Sequence, residues 1–296
     1  MKDKLCLCQI HLLSFSSQSY TVSMRCPALP GWLANCFIYG NQAAYAQETQ
    51  PSGNEMHQDK ESRERVPGLL LVMNDVPQDL DDEFNRWYHT ERLEDRLSIP
   101  GFNWARRYRA VGGQPEYMVV YQCQTIGVLA SAAYRHKLDN PSESATKLLP
   151  KLQNVMRAAC HQTWTLDHAI GGSAIVVQCN AAEGRKEDAR RFVKHVLAER
   201  LKESGCMVSM SLWEADSYMT ATSNSEIVKR ASPDHYADWV ILVEGYDQAR
   251  LSLALHGEMH RCDAQRDGLL IGSLTRYELM CSYTALSQQA SHPSAG

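Results

Sequence analysis

Between Phe84 and Phe102 the chain reads FNRWYHTERLEDRLSIPGF, and this stretch gathers side chains able to do chemistry. His89 carries an imidazole whose unperturbed pKa of about 6.5 lets it give or take a proton near neutral pH. Glu91 supplies a carboxylate close by, and Arg92 a planar fork that can grip a carboxylate or enolate with two parallel hydrogen bonds. His89 is therefore the candidate catalytic residue, Arg92 the candidate anion holder, and Tyr88 the group that would orient a ligand. Trp87, Glu91, Trp104 and Tyr121 complete the candidate substrate-binding set. Each also has a plainer use. Trp87 and Tyr88 can anchor a helix on a sheet, and the Glu91–Arg92 and Glu94–Arg96 charges can be solvated surface, because adjacent helical residues do not face each other. Arg106 and Arg107 adjoin on an expected strand, so at most one points inward, and Tyr108 shares the facing of Arg106.

Stepping from these residues to the elements that carry them, Leu69 to Met73 is a short apolar run ended by Asn74, Asp75 and Pro77, which reads as a buried strand. Asp79, Asp81, Asp82 and Glu83 favour a helix start, since carboxylates face the positive end of the helix dipole. Leu80, Phe84, Trp87, Tyr88 and Glu91 share one helical face. Leu93 and Leu97 fall off it, so the helix is expected to bend or restart near Thr90 before Pro100 and Gly101 stop it. Strands follow at Asn103 to Val111 and Tyr117 to Cys123, joined through Gly112-Gly113 as a hairpin. Helices are expected at Thr125 to His136 and Ser142 to Ala159, and a strand at Gln162 to Ala169.

The order β-α-β-β-α-β is that of a ferredoxin-like unit, and the remainder repeats it. Ala174 to Cys179, Met207 to Glu214, Trp239 to Tyr246 and Leu270 to Cys281 read as strands. Gly184 to Ser204, closed by Gly205, and Asp247 to Leu255 read as helices, with a polar loop at Ser217 to Asp234. This divides the chain into an N-terminal extension (1–65), a first half (66–169), a second, diverged half (170–286) and a tail (287–296). The extension is polar from Gln47 to Arg65, a composition that buries too little to offset its ordering entropy. It is either a disordered or mis-annotated segment, with the true start at Met56, or an export signal beginning at Met1 or Met24 and cut after Ala44 to Ala46, whose apolar part is broken by Pro30, Gly31, Asn35 and Gly40.

The run Trp87, Tyr88, His89, Thr90, Glu91, Arg92, Leu93, Glu94, Asp95, Arg96, Leu97, Ser98, Ile99, Pro100, Gly101, Phe102 resembles the W-Y-x-x-E-H-L-P-x-R-L-x-x-P-G-F signature of EthD-like proteins in the dimeric α+β barrel superfamily. The likeness covers about residues 67 to 125, and the second half by architecture alone. It implies an α+β fold in which two ferredoxin-like halves close one barrel within a single chain, a tandem form of the dimer. It also implies a pocket between each sheet and its covering helix, holding a small hydrophobic or aromatic acid from a catabolic pathway. The protein would bind that acid and isomerise, dehydrate or otherwise process it without a cofactor, or hold it as a non-catalytic accessory. The signature's histidine is replaced here by Arg92 and its proline by Glu94, so the proton-carrying task has either moved to His89, one turn earlier, or been lost. Some relatives bind haem, but no residue here singles out an axial ligand.

Bulk properties narrow the classes further. The chain has 296 residues, 44% hydrophobic and 22% charged, as in globular proteins. A net charge of −4 gives no electrostatic case for nucleic acid or acidic membranes. No apolar run approaches the roughly 20 residues of a membrane helix. The ten cysteines stand without CxxC pairs, as buried thiols of a reducing, cytoplasmic compartment would. G-x-S-x-G, P-loop, G-x-G-x-x-G and H-E-x-x-H motifs are absent. His256 and His260 could share a helical face, but Gly257 weakens that helix and no third ligand follows, so no metal is expected. The expected partner is a small-molecule ligand, with room for a homo-oligomer.

Overall fold

The computed structural model describes residues 66–221, 237–261 and 264–286. The expectations for 1–65, for 287–296 and for most of the Ser217 to Asp234 loop lie outside those residues, as does the side chain of His260. The described part is α+β. Its eight strands are β1 (Gly68–Asp75), β2 (Phe102–Ala110), β3 (Tyr117–Cys123), β4 (Gln153–Leu166), β5 (Ser173–Ala181), β6 (Met207–Ala215), β7 (Trp239–Gly245) and β8 (Leu269–Thr284). They close a barrel in the order β1-β3-β2-β8-β5-β7-β6-β4, with every neighbouring pair antiparallel.

Most strands are buried on both faces, one towards the barrel interior and one towards covering helices, which is why their sequences run almost continuously apolar. In β1, Leu69, Leu71 and Met73 face inward while Leu70 packs outward. The interior is filled along much of its length by these residues together with Tyr108, Met118, Val120, Met156, Val176, Trp213 and Tyr277. Two further clusters lie outside the barrel wall. One sits under α1 (Asp81–Trp87), α2 (Leu93–Leu97), α3 (Ala132–Asp139) and α4 (Glu143–Leu148). The other sits under α5 (Lys186–Phe192), α6 (Ala198–Glu203) and α8 (Gln248–Arg261). A short helix, α7 (Ser217–Ala221), follows β6.

The expected bend near Thr90 is a π-helical turn, Tyr88–Arg92, between α1 and α2. One extra residue per turn rotates the stripe, so Leu93 joins Phe84, Trp87 and Tyr88 in the same cluster and Leu97 packs against it. Helix α5 meets α6 through a second such turn, Val193–Leu197. Gly205 takes φ +67°, the left-handed cap expected there.

Several boundaries differ from expectation, among them the helix expected at Asp247 to Leu255, which spans Gln248–Arg261. The Ser142 to Ala159 segment is α-helical only from Glu143 to Leu148, with a 3₁₀ turn at Leu149–Lys151, and β4 begins at Gln153 rather than Gln162. Both faces of β4 are buried between Val155 and Cys160, so VMRAAC lacks the alternation that marks a strand. Thr125 to His136 is a 3₁₀ turn, Ile126–Ala130, followed by α3, whose start is capped by the Ser131 hydroxyl accepting from the Tyr134 N–H at 3.1 Å.

Candidate functional site

The space expected between the first sheet and its helix is filled. Trp87, Tyr88 and Tyr121 are 4%, 4% and 2% exposed and belong to one packed cluster. The Tyr121 hydroxyl has no hydrogen-bond partner, and burial pushes its pKa up. Trp87 Nε1 donates to Glu91 Oε1 at 3.1 Å, and the Ser142 hydroxyl donates to the same oxygen. Arg92 lies over the Trp87 ring, 5.3 Å from its centroid. Glu91 and Arg92 open onto an outer groove of about 360 Å³ shared with Asp95, His136, Lys137 and Ser142. His89 sits apart, half-buried, with its ring nitrogens near Arg107 and Cys281. The sequence-expected residues thus divide between packed core, outer groove and helix–sheet seam.

Trp104 is the exception. It lines a cavity of about 350 Å³ at the barrel end where β1 begins and β3 finishes. The wall includes Leu69, Trp213 and Leu242 as apolar surface, with Arg106, Gln122, Gln162, Ser209, Ser211 and Glu244 as polar groups. An apolar hollow with a few convergent polar groups is the usual form of a small-molecule site.

The polar groups centre on Glu244, which is 3% exposed. Its carboxylate accepts from the Tyr108 hydroxyl at 3.0 Å and from the Ser209 hydroxyl at 2.9 Å. Arg106 Nη1 donates to it at 3.3 Å. Burial holds the Glu244 carboxyl above its ordinary pKa, opposed by Arg106, Ser209 and Tyr108. The Tyr108 hydroxyl is pushed well up by its own burial and by the Glu244 charge. Arg106 stacks on Trp104, its guanidinium 4.2 Å from the ring centroid, and its Nε is buried without a hydrogen-bond partner. Trp213 Nε1 is satisfied by the Ser211 hydroxyl at 2.8 Å, which fixes the indole as part of the wall. Asp167 and His168 stand exposed at the rim.

Strand geometry explains this convergence. Arg106 and Tyr108 share a face of β2, as the spacing required, and Arg107 points to the other side. In β7, Val240, Leu242 and Glu244 alternate inward, and Ser209, Ser211 and Trp213 do so in β6. Glu244 was missed from sequence, although a carboxylate at the inward position of the run WVILVEG is a readable signal. The Arg106–Glu244 contact spans 138 residues, so the pairing itself could not be read locally.

No family model and no curated protein matches the chain. Solved structures do resemble it. An anthrone oxidase-like protein superposes with a TM-score of 0.52 at 9% identity, covering 78% of this chain and 98% of that one. A candidate monooxygenase from Lactobacillus acidophilus NCFM gives 0.48 at 9% identity over 74% and 97%. A chlorite dismutase from Candidatus Nitrospira defluvii gives 0.45 at 9% over 76% and 95%. What the chain shares with the first of these is its fold, an α+β barrel of eight antiparallel strands.

Proposed function

We propose that the protein binds a small hydrophobic or aromatic molecule bearing one weakly acidic oxygen, such as a phenol, an enol or an aromatic ketone, in the barrel mouth. The observation that carries this is Arg106, a cation on the cavity wall that is stacked on Trp104 and held by Glu244. Its guanidinium would donate to the ligand oxygen while Trp104, Trp213, Leu69 and Leu242 enclose the apolar part. A full carboxylate fits less well, because it would add a second negative charge beside Glu244. Glu244, on the cavity wall, is the group able to exchange a proton with the bound oxygen, with the Tyr108 and Ser209 hydroxyls holding its carboxylate in place, so isomerisation or dehydration would run through it. Anthrone, the tricyclic ketone in one structural neighbour's name, belongs to this ligand class.

Isothermal titration calorimetry with anthrone, 2-naphthol and benzoate tests the reading. Binding of the first two, and weaker binding of benzoate, is expected. Arg106→Met/Glu244→Gln removes both charges together, and losing a hydrogen bond to a charged group, about 1.5–3 kcal/mol, should weaken binding by roughly 10- to 100-fold. Unchanged affinity in that variant would refute the role of Arg106.

We also propose that residues 66–169 and 170–286 are two copies of one ferredoxin-like unit. Supporting this are the arcs β4-β1-β3-β2 and β8-β5-β7-β6, which match strand for strand, and the π-helical turn in the first helix of each.

A further inference from the structure

Arg107 lies on the opposite face of β2 from the barrel mouth and takes no part in that cavity. Its side chain is 1% exposed. An arginine does not shed its proton, and taking a cation out of water costs several kcal/mol unless a counter-charge is present. Three rings surround it, with centroids at 4.4 Å (Tyr88), 4.8 Å (Tyr117) and 5.1 Å (Phe84) from the guanidinium carbon. Each returns part of that cost. Among the described residues no carboxylate pairs with it, and the ionisable groups around it are tyrosines, Cys281 and His89. Nη2 is buried without a hydrogen-bond partner.

The neighbour on Nη1 is His89 Nε2 at 3.1 Å. Since the guanidinium can only donate, Nε2 must accept, which places the imidazole proton on Nδ1, facing Cys281 Sγ at 3.7 Å. Burial and the Arg107 charge both lower the His89 pKa and keep the ring neutral. His89 and Cys281 are half-buried, and the His89 ring lies 6.5 Å from that of Tyr283, which is 38% exposed. A ligand would reach the guanidinium by displacing the His89 and Tyr283 side chains, which lie between it and solvent. The β2–β8 register shifts between Arg107 and Tyr108, which pair with Cys281 and Leu279, so Met280 is the extra residue and β8 bends beside Cys281.

We propose that Arg107, positioned by His89, forms a subsite for a small monocarboxylate, one oxygen of which accepts from Nη2. A single guanidinium favours a monoanion over a phosphate dianion. This site is on the other side of the sheet from the barrel mouth and stands or falls independently of it.

Thermal unfolding of the whole chain with sodium formate, exchanged against sodium chloride at constant ionic strength, tests it. A saturable rise in Tm is expected, with the folding constant gaining about tenfold when formate reaches ten times its Kd. Arg107→Met should abolish the rise, and His89→Gln, which keeps an acceptor for Nη1, should retain it. Histidine ¹⁵N NMR of the wild type gives a second readout, free of any folding defect in the variant: His89 Nε2 should shift saturably with formate. No saturable shift in either measurement, or a rise that Arg107→Met retains, overturns the proposal. An equal response to added chloride in place of formate would overturn the carboxylate assignment.

Discussion

Replacing Arg106 by methionine would leave Glu244, 3% exposed, without its counter-charge in the barrel mouth. Breaking a buried pair by removing one partner costs about 3–5 kcal/mol. Here Tyr108 at 3.0 Å and Ser209 at 2.9 Å go on donating, and Arg106 itself is 14% exposed beside an open cavity. The expected loss is therefore smaller, about 2–4 kcal/mol, or a fall in Tm of roughly 5–15 °C for a domain of this size. Glu244→Gln alone leaves Arg106 facing the cavity and stacked on Trp104, and should cost about 1 kcal/mol. The double variant should be more stable than the sum of the single changes predicts, by about 1–3 kcal/mol of coupling.

The dependence on pH has a defined sign. The Glu244 carboxyl already lies above its ordinary range because of burial, so the folded state holds that proton at pH values where the unfolded chain has released it. The stability of the protonated form is lost as pH rises through the folded pKa. Without Arg106, the largest influence opposing burial, that window moves up. Urea unfolding should therefore show the Arg106→Met loss greatest near pH 8 and shrinking towards pH 5. A loss that is the same at both, or below about 1 kcal/mol at the higher, would refute an electrostatic pairing in this mouth.

Other expectations follow from positions outside the mouth. Gly68→Ala would set a Cβ 2.5 Å from the backbone N of Ile126, which cannot move aside as a side chain would; urea titration should show a loss of about 1–3 kcal/mol or more. Tyr121→Phe removes an unpartnered buried hydroxyl and should leave Tm unchanged or raise it, whereas a drop equivalent to more than about 1 kcal/mol would reveal a partner. The His89 pKa is lowered in the folded protein, so the unfolded chain takes up its proton first and stability falls as pH drops below the ordinary value of 6.5. His89→Gln should flatten that part of the stability profile, and an identical slope in both proteins would show that His89 does not contribute to it.

The elements were legible where one face of a helix or a turn residue announced them. The Phe84 to Phe102 stretch did so, down to the off-stripe Leu93 and Leu97 that a π-helical turn brings back to the core. Strand β4 was not, because Val155 to Cys160 is enclosed on both faces and carries the composition of a buried helix as readily as that of a strand. For the site, the shared facing of Arg106 and Tyr108 could be read from spacing alone. Their partner Glu244 could not, since it arrives from the far half of the chain through barrel closure. The placement of an anion-holding arginine followed the likeness of the Trp87–Phe102 run and so fell on Arg92. Arg92 opens onto an outer groove, whereas among the described residues the arginines with a buried nitrogen left unpartnered are Arg106 and Arg107 on the adjoining strand.

Strand β8 is the keystone of the ring. It hydrogen-bonds to β2, pairing Trp104 with Thr284, and on its other side to β5, pairing Ala181 with Leu269. A chain ending before Leu269 would leave β2 and β5 each with a bare row of amides and carbonyls. The closed ring would become an open sheet with two sticky margins. Of the eight strands, the one that seals the ring is the last to be synthesised, and until it docks the other seven are most exposed to pairing with neighbouring chains.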